Sequence, residues 1–221
     1  MRIYKNFREA NNELRRDVAE LGILVHPQTM QDKDIANDPE FLTREYPNMV
    51  YAVTSPRAED LSPSQPWADA EFSERINFTL PQDGKAWKLR PEVWAEYSSD
   101  FSYSYGERYA QSLESIIREL TVHPESRQLF LSVWNPSIDS RKLGKRRVPC
   151  SLGYWFALRG GRLNITYLQR SADLATHLQN DQYLSHRLQA YIANLLSLEI
   201  GTFTHWIGSL HVYRKDVADV F

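Results

Sequence analysis

The apolar positions of this chain alternate between helical and extended spacing. In NFREANNELRRDVAEL, Phe7, Leu14, Val18 and Leu21 recur at helical intervals and Gly22 follows as a stop, which predicts an amphipathic helix over residues 5–21. From Pro27 to Pro66 turn formers and charges dominate around one short β-like run, MVYAVTS, so this stretch is expected to be mostly loops. SYGERYAQSLESIIRELTVHPES puts Tyr109, Leu113, Ile116, Ile117 and Leu120 on one face and predicts a buried helix ending near Val122. RQLFLSVWN reads as a strand, and SLGYWFALRGGRLNITYLQRS as two β-rich runs joined at Gly160-Gly161, the signal of a hairpin. A second long helix is predicted from about Asp181 to Leu198, with a closing strand in GTFTHWIGSLHVY. The pattern implies a single α+β domain over residues 1–221, with a mostly antiparallel or mixed sheet packed by helices.

Composition narrows the classes. With 42% hydrophobic and 24% charged residues the chain can bury a core and is not disordered by composition. A net charge of −2 gives no general electrostatic reason to bind nucleic acid or a membrane surface. No apolar run approaches the ~20 residues that cross a bilayer. The start, MRIYKNFREANNELRRD, lacks the apolar core of a signal peptide, so a cytoplasmic location is expected. The single cysteine, Cys150, excludes an internal disulfide, and no Cys/His spacing suggests a metal site.

Cys150 closes the basic run RKLGKRRVPC, and reads either as a small core residue or as a nucleophile. Arg141, Lys142, Lys145, Arg146 and Arg147 would favour its thiolate if they lie close, but they also read as a solvated loop. Gln169, Arg170 and Ser171 offer an amide, a guanidinium and a hydroxyl in succession at a strand end. Neighbours on a strand face opposite ways, so Gln169 and Arg170 need a bend to share one pocket. His211 and Tyr213, two apart, share a strand face on which both could hydrogen-bond a ligand hydroxyl.

Taken in order, VPCSLGYWF, LNITYLQRSADL, HLQND and GTFTHWIGSLHVY resemble the C-terminal half of the thymidylate synthase superfamily: Pro-Cys, a hairpin, Gln-Arg-Ser-x-Asp, a base-reading residue eight positions on, then His-x-Tyr. HPESRQLFLSVWNPS looks like the preceding Asp-Ser-Arg-Arg strand, and EVWAEYSSDFSYSYGERY like the Trp-rich segment that leads to Tyr-Gly. The resemblance is good over roughly residues 90 to 213 and poor before that. It implies that Cys150 adds to C6 of a pyrimidine nucleotide. It makes Arg170 and Ser171 phosphate ligands, with Arg127 lent to the phosphate of the other subunit in a face-to-face homodimer. Gln169 belongs to the substrate site, His211 and Tyr213 would hold the sugar 3′-hydroxyl, Asp173 would meet the base through its backbone amide, and Tyr105 and Trp94 would line base and folate. The cosubstrate implied is 5,10-methylenetetrahydrofolate, with no metal. The family's general-base carboxylate is expected in DAEFSERINF, at Glu74 in preference to Glu71, and Lys33 or His26 is the candidate for a further phosphate cation.

The chain departs from thymidylate synthase at four points. Ser151 follows the nucleophile where thymidylate synthases carry His; Asp181 stands where they carry the Asn that reads uracil; Gln128 replaces a second phosphate arginine; and YRKDVADVF follows soon after the His-x-Tyr pair, where the family continues into a long folate-closing region. The first two departures match the deoxycytidylate hydroxymethylase branch. An ionised carboxylate only accepts hydrogen bonds, so Asp181 repels O4 of uracil and accepts from the N4 amino group of cytosine. Asp181 also reads as an N-cap of the following helix. The expectation is a cytidylate 5-hydroxymethylase acting on dCMP or CMP. Thymidylate synthase or a dUMP hydroxymethylase is the near alternative, and an inactive nucleotide-binding homologue the distant one.

Overall fold

The computed structural model describes residues 1–31, 33–91, 103–140 and 147–221. The strands are β1 (Arg2–Tyr4), β2 (Ile23–Val25), β3 (Thr29–Met30), β4 (Lys33–Asp34), β5 (Thr43–Val53), β6 (Phe130–Ser132), β7 (Ser151–Arg159), β8 (Arg162–Asp173) and β9 (Glu199–Tyr213). The helices are α1 (Phe7–Leu21), α2 (Trp67–Ile76), α3 (Tyr105–Ala110), α4 (Leu113–Val122), the one-turn α5 (Pro136–Asp139), α6 (Leu178–Leu195) and the one-turn α7 (Val217–Val220). Among the described residues seven strands form one mixed sheet in the order β1-β5-β9-β8-β7-β6, with β2 also on β5, and β3 and β4 pair separately.

Helix α1 starts where Asn6 accepts from the Glu9 amide at 2.9 Å, a cap worth about 1 kcal/mol. It ends where the Gly22 amide returns to the Val18 carbonyl. Its apolar face, Phe7, Ala10, Leu14 and Val18, is fully buried with Leu188 and Ile192 of α6 and with Phe203 and Tyr51 of the sheet. The hairpin at Gly160-Gly161 forms as expected: β7 and β8 are antiparallel with Arg159 opposite Arg162, and both glycines have positive φ. Strands β8 and β9 are parallel and joined by α6, the crossover that parallel pairing requires.

Three expectations need correction. The loop-like stretch contains β5, an eleven-residue central strand paired to β9 along its length. Its pattern is interrupted by Pro47-Asn48, with Asn48 at φ +54°, so only its second half reads as β in the sequence. The helix predicted before Val122 is two helices, because Ser112 leaves helical geometry at φ −152°. The long helix lies about three residues earlier than predicted and stops before Ser197, which is left-handed at φ +53°. Trp94 and the basic positions 141, 142, 145 and 146 lie outside the described residues.

The sheet has one face under α1 and α6. On the other face, rows of half-buried side chains run across strands: Trp155, Thr166 and Thr204 in one register row, Leu168, Trp206 and Val50 in the next.

Candidate active site

A cavity of about 520 Å³ opens at the end of the sheet where β8 and β9 leave it. A row of backbone features bends the strands there. Asn48 has positive φ, β7 carries a bulge between Ser151 and Gly153, and Gly208 lies so close to β8 that an added Cβ would sit 2.7 Å from the Arg170 carbonyl oxygen. Beyond Gly208 the strict in-out alternation of β9 gives way to three consecutive buried residues, Leu210, His211 and Val212. That is the bend needed for Gln169 and Arg170 to line one cavity, and both do, with Ser171, Asp173, His211 and Tyr213.

Cys150 lies on the cavity wall, half-buried. Arg170 Nη2 is 3.8 Å from its Sγ and Gln31 Nε2 is 3.9 Å away. Arg170 also donates to the carbonyls of Pro149 (2.9 Å) and Val148 (3.2 Å), which clamps the segment that carries the cysteine. Burial nevertheless pushes the Cys150 thiol above its ordinary value, with Arg170 and Arg147 pulling the other way and Asp181 and Asp173 adding to the rise. Of the basic run read from the sequence Arg147 lies within the described residues and, with Arg170, opposes burial, which is the larger influence and favours the thiol.

Asp181 sits in the first turn of α6 without capping it; His177 holds the N-cap position, and the Asp181 amide donates to the His177 carbonyl. The helix-cap reading of Asp181 is therefore corrected. Its Oδ2 accepts from Gln169 Nε2 at 2.6 Å, and burial pushes its carboxyl above the usual carboxylate range against the pull of His177, Gln169 and Arg75. Gln169 in turn meets His205, and His205 meets Tyr51, neither of which the sequence singled out.

Tyr105 lines the cavity under the guanidinium of Arg75, whose Cζ is 3.9 Å from the ring centroid, and Arg75 is paired to Glu71 at 2.7 Å. The Tyr105 hydroxyl is 3.0 Å from Ser151 Oγ, which is 2.5 Å from the Tyr167 hydroxyl. Ser151 is thus buried beneath the cavity as a link between two tyrosines. Glu71 and Glu74 both line the cavity, but Glu74 Oε1 accepts from the amides of Lys85 (2.5 Å) and Ala86 (2.9 Å), anchoring a loop. Glu74 thus holds the loop with an oxygen that accepts from two amides, whereas Glu71 Oε1 accepts from the Arg75 side chain.

Asp173 closes a turn, accepting from the Ala175 amide (2.9 Å) and the Thr176 hydroxyl (2.5 Å). The His211 and Tyr213 rings meet edge to face with centroids 5.1 Å apart, and burial lowers the His211 pKa and raises that of Tyr213. Lys33 and Arg147 line the cavity, whereas His26 is not among its lining residues. Arg127 is exposed and away from the cavity, its carbonyl accepting from the Trp155 indole on the open sheet face at 3.1 Å.

This order of residues is matched by a family model described as thymidylate synthase over residues 67–221. The chain belongs to the thymidylate synthase family. The match takes in α2 with both candidate glutamates, so it begins earlier than the motifs alone suggest. A Methanosarcina barkeri protein provisionally named as a thymidylate synthase is 23% identical over 90% of this chain and 94% of its own length. The bifunctional dihydrofolate reductase-thymidylate synthase of Zea mays is 29% identical over 68% of this chain and 29% of its own length. The solved structure of thermostable thymidylate synthase A from Bacillus subtilis superposes with a TM-score of 0.73, covering 98% of this chain and 83% of its own at 19% identity, a likeness of fold. The chain is accordingly a folate-dependent one-carbon transferase of the thymidylate synthase type, acting on a nucleotide. Among the described residues no cluster of side chains suits a metal ion, and no helix is long and apolar enough to cross a membrane.

Proposed function

We propose that this enzyme places a hydroxymethyl group on C5 of a cytidine nucleotide, dCMP or CMP, using 5,10-methylenetetrahydrofolate and water, as a single cytoplasmic domain over residues 1–221. The observation that carries the reading is Asp181 on the cavity wall, its proton affinity raised by burial and its Oδ2 held by Gln169. A neutral carboxyl can offer cytosine a donor for N3 and an acceptor for the N4 amino group, and with its hydrogen on the oxygen facing N3 it opposes the N3–H of uracil. A buried polar edge left unmatched is what gives such sites discrimination of order 10⁴.

In this reading Cys150 loses its proton beside Arg170 and Arg147, its Sγ bonds C6, and C5 becomes the nucleophile. When bound, methylenetetrahydrofolate supplies a carbon at the oxidation level of formaldehyde. The cavity end walled by Trp67 and Arg90 suits a planar heterocycle with an anionic tail: the guanidinium lies 4.8 Å over the Trp67 ring, and Trp67 Nε1 is buried without a partner among the described residues. With C5 joined to that carbon, its own proton lost and tetrahydrofolate the leaving group, Glu71, on the wall with Arg75, is the group best placed to move the protons of the water that completes the hydroxymethyl group, after which Cys150 leaves C6. Arg170 and Ser171 would hold the phosphate with help from Lys33 and Arg147, His211 and Tyr213 the sugar, Asp173 and Tyr105 the base, and Trp94 the folate. Arg127 would serve the partner's phosphate across a homodimer built on the open sheet face.

The deciding experiment is incubation with methylenetetrahydrofolate and each of dCMP, CMP and dUMP. Formation of 5-hydroxymethylcytidylate, with tritium released from C5 and lost in Cys150→Ser, is expected; turnover of dUMP to product with dihydrofolate, and none of either cytidylate, overturns the assignment.

A further inference from the structure

Behind Asp181 an unbroken line of buried polar groups crosses the sheet to α1. Gln169 Nε2 donates to Asp181 Oδ2 at 2.6 Å. Gln169 Oε1 is 3.0 Å from His205 Nε2, and His205 Nδ1 is 2.9 Å from the Tyr51 hydroxyl. The Tyr51 oxygen accepts from Gln182 Nε2 at 2.7 Å, and Gln182 and Asn11 exchange two bonds of 2.7 and 3.0 Å. Of these groups Gln169, His205, Tyr51 and Gln182 are at most 1% exposed.

The directions follow from the chemistry. With the Gln169 amino group on a carboxylate oxygen, its carbonyl must accept, so His205 Nε2 carries hydrogen. A neutral imidazole then has Nδ1 as acceptor, and Tyr51 must be the donor. Burial makes the ring neutral, lowering His205 to about 3, and among the described residues no charged group offsets it: it stacks on Tyr167, 4.6 Å away, and is flanked by Tyr51 and Phe203. From Gln182 onward each bond in the line therefore donates toward Asp181, while Gln182 and Asn11 bond each other in both directions. The opposite polarity requires a proton on Oδ2, the other His205 tautomer, and inversion of the Gln169, Gln182 and Asn11 amides together. A line of buried bonds that must reverse as a unit holds its direction better than any one of them.

We propose that His205, kept in its Nε2–H tautomer by Tyr51, is a positioning residue that fixes the Gln169 amide and so confines the exchangeable proton of Asp181 to Oδ1, the oxygen left for the pyrimidine. This rests on Asp181 reading the base, as argued above. A protonated carboxyl can read either pyrimidine: cytosine requires the hydrogen opposite N3, uracil requires it opposite the exocyclic oxygen. With Oδ1 opposite N3, a hydrogen held there favours cytosine, and the line exerts that control from His205, which is not part of the cavity lining. Among the described residues the charged and titratable groups around Asp181 are His177 at the N-cap of its helix, Arg75 from α2, Asp173 and Tyr167 from β8, Tyr51 from β5, Cys150 before β7 and Tyr105 from α3; none of them bonds to Oδ2.

Nitrogen-15 NMR of the labelled protein reads the tautomer directly: a neutral Nε2–H His205 from pH 5 to 8 is expected, and an Nδ1–H tautomer or an imidazolium overturns the proposal. Tyr51→Phe and His205→Phe are expected to lower the dCMP-over-dUMP ratio of kcat/KM by about tenfold, the scale of one buried hydrogen bond, and to move the acid limb of its pH profile. His205→Gln, whose amide nitrogen reproduces the Nε2 donor, should restore both. Equal losses for both nucleotides with an unmoved pH profile mean that the line is only structural, and overturn the proposal. Should the parent act on dUMP alone, the cytidylate assignment falls, while the tautomer and the pH profile on dUMP still decide the role of His205.

Discussion

Cys150 is where two opposed influences meet. Arg170 and Arg147 favour its thiolate, burial favours the thiol, and burial is the larger. Alkylation by iodoacetamide should therefore be slow at pH 7 and climb at pH values above those of a free cysteine. Arg170→Leu removes an opposing cation, moves the thiol further up, and should slow the reaction at pH 8 by on the order of tenfold, one unit of pKa. Unchanged rates in the variant would show that Arg170 acts on the backbone carbonyls alone. Asp181 is subject to the same burial with the opposite benefit, since a carboxyl that retains its proton can donate to a base edge.

At the scale of elements, the site depends on the bend of β8 and β9 as much as on any side chain. Gly208 permits a contact with the Arg170 carbonyl that a methyl group would fill. Gly208→Ala should destabilise the fold by about 1–3 kcal/mol through forced backbone shifts, measured by urea unfolding, and should weaken nucleotide binding because Arg170 and Ser171 follow that shift. Binding that survives with the stability loss would separate the bend from the site. The two-residue turn of β7 and β8 was legible from Gly160-Gly161. Strand β5 was not, because its alternation breaks at Asn48, and the break that hid the strand lies in line with the bend that opens the cavity.

For the molecule as a whole, the half-buried row of Leu168, Trp206 and Val50 is an apolar surface on the same open face where the Arg127 carbonyl meets the Trp155 indole. Sedimentation should find a dimer, and Trp206→Asp should yield monomers that lose activity; a fully active monomer would remove the role of Arg127 across an interface. Stability should also respond to acid with a definite sign. His205 titrates near 3 when folded and near 6.5 when unfolded, so the unfolded state binds more protons between those values. Stability then rises with pH through that window and is lost as pH falls from about 6.5 toward 3. Thermal melts of His205→Gln should have a shallower acid limb than the parent. Asp181, raised by burial, contributes the opposite trend above the ordinary carboxylate range.

The sequence by itself determined the family-like order of Cys150, Gln169 to Ser171, Asp181, His211 and Tyr213, because those residues lie in short stretches whose spacing survives in the linear chain. It determined the hairpin, α1 and, about three residues out of place, the long helix α6 for the same reason: each is a local pattern of period two or 3.6. Only the tertiary structure decided that Asp181 faces Gln169 and does not cap α6, that Glu74 is committed to backbone amides while Glu71 pairs with Arg75, and that Tyr51 and His205 stand behind the base-reading group. Those relations join residues 4 to 154 positions apart, the longest being Tyr51 to His205. On a strand, Tyr51 and His205 are simply two more residues pointing inward, and nothing in one dimension distinguishes a buried donor from a buried ring until the fold brings its acceptor within 3 Å.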